Sequence, residues 1–130
     1  MVELVKDYMI KKEEVVSPED SVSSAVELMI ANDIGSVVVV DDKTNEVIGI
    51  FTERDLLRRY MGSRTKFIHL RISEVMTSPV VTVTKDTKLS DAVRLMKEHD
   101  IGRVPVVDKK KQLVGILFWK DIFNRLCCKE

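Results

Sequence analysis

The residues whose types and spacing suit chemistry lie in Gly49-Ile50-Phe51-Thr52-Glu53-Arg54-Asp55. An apolar run ends at a hydroxyl residue, with a carboxylate three positions later, the pattern of a strand turning into a helix N-terminus. Such a junction gathers the first helical N–H groups, a hydroxyl and an acid on one small surface, which suits a phosphate and a sugar. An ionised carboxylate is acceptor-only and takes hydroxyl donors, while a hydroxyl and free helix N–H groups suit an anion. Hydrogen bonds to a charged group contribute about 1.5–3 kcal/mol, so losing Asp55 is expected to weaken a bound sugar phosphate about tenfold or more. The same Thr-x-x-Asp spacing is also an N-cap followed by a first-turn acid, which stabilises a helix by about 0.5–2 kcal/mol without any ligand. The two roles can coexist.

Other chemistries find no support. The chain has no nucleophile set beside a base, no Walker or dinucleotide glycine motif, and no Cys or His at metal-ligand spacing. An enzyme is therefore not the reading. The cysteines are the adjacent Cys127 and Cys128, read as free thiols, with redox pairing or a cross-link between chains as the alternative. His69 and His99 stand alone as surface or packing residues. With 21 acidic and 21 basic residues in 130, no global field draws nucleic acid or an anionic membrane. No apolar run reaches the ~20 residues that span a bilayer, and Met1-Val2-Glu3-Leu4-Val5-Lys6 has no signal-peptide pattern, so the cytoplasm is the expected address.

The elements that position the motif come in two copies. At an offset of 67, residues 22–41 match residues 89–108 at 12 of 20 positions, among them Asp33-Ile34-Gly35 with Asp100-Ile101-Gly102. One residue fewer in the next turn shifts the offset to 66, and Gly49, Ile50, Asp55 and Arg59 meet Gly115, Ile116, Asp121 and Arg125. Each repeat reads as a lead-in (Leu4–Met9; Ser73–Met76, with Ser73 as N-cap) and a short strand (Glu14–Ser17; Val80–Thr84). An amphipathic helix follows, with Val22, Ala25, Val26 and Met29, or Leu89, Ala92, Val93 and Met96, on one face. Asp20 and Thr87 are the expected caps, and Gly35 and Gly102 the left-handed residues after each helix. Hairpins follow at Val37–Asp41 with Val47–Phe51 and at Val104–Asp108 with Leu113–Leu117. Pro105 argues for an edge or strand-start position. Helices Glu53–Met61 and Trp119–Leu126 close the repeats.

A β-α-β-β-α unit of about 55 residues is marginal alone. The expected fold class is therefore α+β, two pseudo-symmetric repeats packed through their sheets: residues 1–62, a polar surface connector at 63–71 (Met61–Arg71 overall), and 72–130. Its basic run, Arg58, Arg59, Arg64 and Lys66, reads as a solvated helix end and loop.

The order Val-Met-Thr-Ser-Pro-Val-Val-Thr-Val (75–83), Asp-Ala-Val-Arg-Leu-Met (91–96), Ile-Gly-Arg-Val-Pro-Val-Val-Asp (101–108) and Leu-Val-Gly-Ile (113–116) closely resembles the cystathionine-β-synthase-type (CBS) domain. The resemblance runs from about residue 4 to residue 126, as in a stand-alone pair, or Bateman module. It implies a regulatory module that binds an adenosine-containing ligand, AMP, ADP, ATP or S-adenosylmethionine, in clefts between the repeats. It also implies a homodimer acting on a regulated protein the sequence does not identify. Nothing serves as a catalytic cofactor. By resemblance Gly49, Ile50, Thr52, Arg54 and Asp55 anchor sugar and phosphate, Thr77, Val81, Ile101 and Gly102 line the base slot, and Arg103 is a basic phosphate contact. The second motif keeps Gly115 and Asp121 but carries Phe118 and Trp119 where the first has Thr52 and Glu53. That site, with Ile34, Gly35, Ile116 and Asp121, is empty, aromatic-lined or altered in specificity, and the Asp55 cleft is expected to be the better one. The competing reading is a dimerisation module with vestigial clefts.

Overall fold

In the computed structural model, which describes residues 2–11 and 14–127, the predicted stripes become the helix core: Val22, Ala25 and Met29 of α1 (Val22–Asn32) are buried, as are Leu89, Ala92 and Met96 of α5 (Leu89–His99). Helix α1 begins at Ser21, whose hydroxyl accepts from Ser24 N–H at 3.0 Å. The predicted caps instead close the preceding turns, Asp20 Oδ2 accepting from Ser17 N–H and Thr87 Oγ1 from Thr84 N–H. Nor are Gly35 and Gly102 the left-handed residues. Asp33 (φ 51°) and Asp100 (φ 53°) take that conformation, which a short polar side chain tolerates. Ile34 and Ile101 then donate to the Met29 and Met96 carbonyls at 2.9 and 3.0 Å, closing each helix in a Schellman motif.

Strands β1 (Val15–Val16), β2 (Ser36–Val40) and β3 (Val47–Thr52) form one sheet in that order, β1 parallel and β3 antiparallel to β2. Strands β4 (Arg103–Val107) and β5 (Leu113–Phe118) form a separate antiparallel pair. The predicted strand Val80–Thr84 shrinks to one bridge between Val83 and Val106. Pro105 explains the difference. In the first repeat Val38 N–H donates to the Glu14 carbonyl at 3.2 Å, which holds β1 on β2. The matching residue 67 positions on is Pro105, which has no N–H to offer. It stands inside β4 rather than at its start, and its carbonyl accepts from Val83 N–H at 3.1 Å.

The connector is not a solvated loop. Ser63 caps α3 (Arg64–Ile68), whose Phe67 is buried and meets the Tyr60 ring edge-on at 5.5 Å. Helix α4 (Ile72–Val75) starts at Arg71 rather than Ser73 and buries Ile72 and Val75. The motif helices are α2 (Glu53–Arg59) and α6 (Trp119–Cys127). Cys127 is an exposed free thiol, and Cys128 lies outside the described residues.

Two compact units result, Glu14–Val80 (the first unit) and Met1–Glu13 with Val81–Glu130 (the second). The lead-ins therefore trade places relative to the sequence repeats. In the first unit Ile50 and Thr77 exchange N–H···O bonds of 3.2 and 2.9 Å; in the second, Ile10 and Ile116 do so at 2.9 and 2.8 Å. Val5 and Tyr8 of the N-terminal lead-in are buried in the core of the second unit with Leu117 and Ile122. Phe51, Phe67 and Ile72 serve that role in the first.

Candidate functional site

In the first unit β3 becomes α2 at Thr52, and the junction is a capping box. Thr52 Oγ1 accepts from Asp55 N–H at 3.3 Å, and Asp55 Oδ2 accepts from Thr52 N–H at 2.9 Å and from Thr52 Oγ1 at 3.3 Å. The other oxygen, Oδ1, accepts from the Thr77 hydroxyl at 2.8 Å. Asp55 is only 4% exposed, so its carboxylate faces into its own unit and ties α2 to the segment after α4. The glycine of the motif answers to that same segment. A Cβ on Gly49 would stand 2.6 Å from Met76 Sδ and 3.1 Å from the Thr77 carbonyl oxygen. Nearby, the Gly35 carbonyl accepts from Glu53 N–H at 3.1 Å, while Arg54 lies exposed on α2.

The second unit keeps the backbone of this arrangement and changes its side chains. A Cβ on Gly115 would stand 2.8 Å from the Ile10 carbonyl oxygen, and the Gly102 carbonyl accepts from Trp119 N–H at 3.0 Å. The Trp119 indole lies so close over Gly102 that a Cβ there would sit 2.6 Å from Cδ1. That ring meets Phe118 and Phe123 edge-on, and the Arg103 guanidinium lies 4.4 Å from the centre of the Phe118 ring. Asp121 occupies the place of Asp55, yet its Oδ2 is buried with no hydrogen-bond partner among the described residues. Phe118 has replaced Thr52, and Ile10 stands where the first unit has Thr77. Both hydroxyl donors are gone.

The predicted site residues thus divide between the units. Gly49, Ile50, Thr52, Arg54, Asp55, Thr77, Ile34 and Gly35 belong to the first; Val81, Ile101, Gly102, Arg103, Ile116 and Asp121 belong to the second. Hydrogen bonds join Thr52, Asp55 and Thr77, and backbone pairing brings in Ile50. Val81 and Ile101 pack, partly buried, on the core of the second unit. Sequence reasoning missed Met9, Ile10 and Met76, which cover the motif glycines. Carrying the offset of 67 back to the lead-ins, where it aligns Met9 with Met76 and Ile10 with Thr77, supplies the missing signal.

A family profile described as CBS domain matches residues 5–62 and again 72–127. The chain belongs to the CBS domain family. This CBS pair is 37% identical over 108 residues to protein MK0525 of Methanopyrus kandleri, a match covering 83% of this chain and 55% of that protein. It is 33% identical to the inosine-5′-monophosphate dehydrogenase of Methanocaldococcus jannaschii over 92% of this chain but 23% of the enzyme. The chain thus spans about half of one relative and under a quarter of the other, and the dehydrogenase matches through its CBS region alone. A solved structure, the CBS domain pair of protein MJ0100 in complex with 5′-methylthioadenosine and S-adenosyl-L-methionine, aligns over 100% of both chains with TM-score 0.86 and 28% identity. CBS pairs are generally regulatory ligand-binding modules rather than catalysts. Among the described residues no helix is long and apolar enough to cross a membrane.

Proposed function

We propose that this CBS pair binds an adenosine-containing ligand at its strand-turn-helix motifs and passes the bound state to a partner through its exposed helical surface. The ligand is sensed, not transformed. The observation that carries this reading is the full-length likeness to a CBS pair whose structure holds 5′-methylthioadenosine and S-adenosyl-L-methionine. Two strand-turn-helix junctions, each with an acid on the first turn of its helix, stand in support. AMP, ADP and ATP share the same adenosine and belong to the same candidate class.

A second copy of the chain is the proposed first partner. Ile30, Leu57 and Met61 are 74%, 80% and 88% exposed, and Leu57 lines an apolar groove of about 400 Å³ with Val26, Leu56, Tyr60 and Phe67 in the first unit. The loss of the motif hydroxyl at Phe118 favours the competing reading, in which self-association alone matters and the clefts are vestigial.

Thermal unfolding with AMP, ADP, ATP, 5′-methylthioadenosine and S-adenosylmethionine tests the choice. A ligand at a hundredfold excess over its Kd adds about 2.7 kcal/mol, a rise of roughly 10 °C for a chain of this length. If none of the five moves the transition while sedimentation shows a dimer, the self-association reading takes its place.

A further inference from the structure

We infer that the hairpin turn Asp108-Lys109-Lys110-Lys111-Gln112 is a docking site for a second copy of the chain, which meets it with the acidic turn Asp41-Asp42-Lys43-Thr44-Asn45-Glu46. The contact is separate from the adenosine reading and from the apolar groove. The even balance of 21 acids and 21 bases conceals a division between the units. The first has 11 acidic and 7 basic residues, net −4, and the second 10 acidic and 14 basic, net +4. The two hairpin turns carry the same division.

Both turns are built on one backbone scaffold. Asp41 Oδ2 accepts from the N–H groups of Lys43 and Thr44 at 2.9 and 2.8 Å, and Asp108 Oδ1 from those of Lys110 and Gln112 at 2.9 and 3.0 Å. One residue in each is left-handed, Asn45 (φ 63°) and Lys111 (φ 66°). On that shared frame Lys109 stands where the first turn has Asp42, and Gln112 where it has Glu46. Asparagine suits the left-handed region and lysine is strained there, so the turn itself does not call for Lys111. Lys109, Lys110 and Lys111 are all exposed, and among the described residues no carboxylate pairs with them. Nor does a cation pair with Asp42 or Glu46. Three adjacent ammonium groups repel one another, and a unit that neither neutralises them nor needs them for its turn presents them to a partner of opposite sign. The chain supplies such a partner in its own acidic turn. Each copy offers one turn of each sign, so the contact runs head to tail from copy to copy. Exposed ion pairs are individually weak, which makes the association concentration-dependent and sensitive to salt.

Sedimentation equilibrium of the full chain at about 0.1 M and about 1 M salt tests this, since the screening length falls from about 10 to about 3 Å between them. The association constant is expected to drop at least about tenfold at the higher salt. Association through an apolar groove is not weakened by salt in this way, so the two contacts are told apart. Lys109→Glu with Lys110→Glu should abolish the salt-sensitive step, and so should Asp42→Lys with Glu46→Lys. An equimolar mixture of these two variants should regain it. Lys97→Glu with Lys120→Glu makes the same change in charge on exposed helix positions, leaves both turns intact and should keep it. Lys111→Asn should weaken the association while unfolding at no lower urea concentration than wild type, the readout that separates docking from folding. If wild type shows no salt-sensitive association, or if Lys109→Glu with Lys110→Glu keeps it, the inference is wrong. It is also overturned if the copies stay apart while the same lysines bind polyuridylate or phosphatidylserine vesicles. None of these readouts involves an adenosine ligand, so failure here leaves the proposed function standing.

Discussion

The Thr77 hydroxyl donates to Asp55 Oδ1 at 2.8 Å, joining the helix that follows one strand to the lead-in of the other sequence repeat. Asp55 is nearly inaccessible, so no water readily replaces a donor that is removed. Thr77→Val keeps the shape and deletes the hydroxyl. It should lower the unfolding free energy by about 1–3 kcal/mol, the cost of leaving one oxygen of a buried carboxylate unpaired. Asp55→Ala also removes the acceptor of Thr52 N–H, the reciprocal half of the capping box, and should cost more. Urea denaturation reads both; a Thr77→Val midpoint equal to wild type would show that the contact adds nothing.

The two motif glycines should respond unequally to a methyl group. At Gly49 the nearest obstacle is Met76 Sδ, the end of a flexible side chain, with the Thr77 carbonyl oxygen behind it at 3.1 Å. At Gly115 the nearest is backbone, the Ile10 carbonyl oxygen at 2.8 Å, bound in place by its bond to Ile116 N–H. Gly115→Ala should therefore destabilise more than Gly49→Ala, each within the range of about 1–3 kcal/mol for overpacking. Met76→Ala should recover part of the Gly49→Ala loss, whereas Met9→Ala should recover little of the Gly115→Ala loss. Equal losses with equal rescue would contradict the backbone argument.

Periodicity made α1, α5 and both hairpins legible, because Val22, Ala25 and Met29 and their counterparts repeat a pattern the core requires. What it hid was set by single residues. Asp33 rather than Gly35 turns left-handed, since local hydrogen bonding lets an aspartate take a conformation usually left to glycine. Phe67 converts a polar connector into an anchored helix, an effect one aromatic has on no compositional average. The motif Thr52-x-x-Asp55 was legible as chemistry and as a cap. That Thr77 completes the bonding of its acid depends on a lead-in lying on the unit of the other repeat, which no local window reveals.

Pro105 should be the switch that decides whether a third strand joins β4. Pro105→Val restores an N–H where the first repeat has Val38, whose N–H holds β1 through the Glu14 carbonyl. The new amide has the Val81 carbonyl as its matching acceptor. Hydrogen exchange should show the amide of residue 105 protected, and that of Val83 more protected than in wild type, each by at least about tenfold if the bond joins the cooperative sheet. Exchange at the rate of an open loop would mean the Val81 segment is kept off β4 by something other than the missing donor.

Tyr8 offers a titration that tests how the N-terminal lead-in is held in the second unit. Its hydroxyl donates to Glu3 Oε2, and its ring lies under the Arg125 guanidinium, 4.2 Å from the ring centre. The bond to Glu3 and then burial raise the phenol above its ordinary value of 10.0, with the Glu3 charge adding to the effect and Arg125 opposing it. A folded-state value above the unfolded one means that the neutral phenol is preferred in the fold. Its stabilising contribution is complete below pH 10.0 and is lost as pH rises through the higher folded value. The chain has two tyrosines, so in a Tyr60→Phe background the tyrosinate absorbance reports Tyr8 alone. Glu3→Gln should move that titration downward, since a charged acceptor that favours the neutral phenol becomes an uncharged one. Arg125→Ala should move it upward by removing the opposing charge. A titration unmoved by either substitution would place the phenol outside this cluster and leave the lead-in held by its buried Val5 and backbone bonds alone.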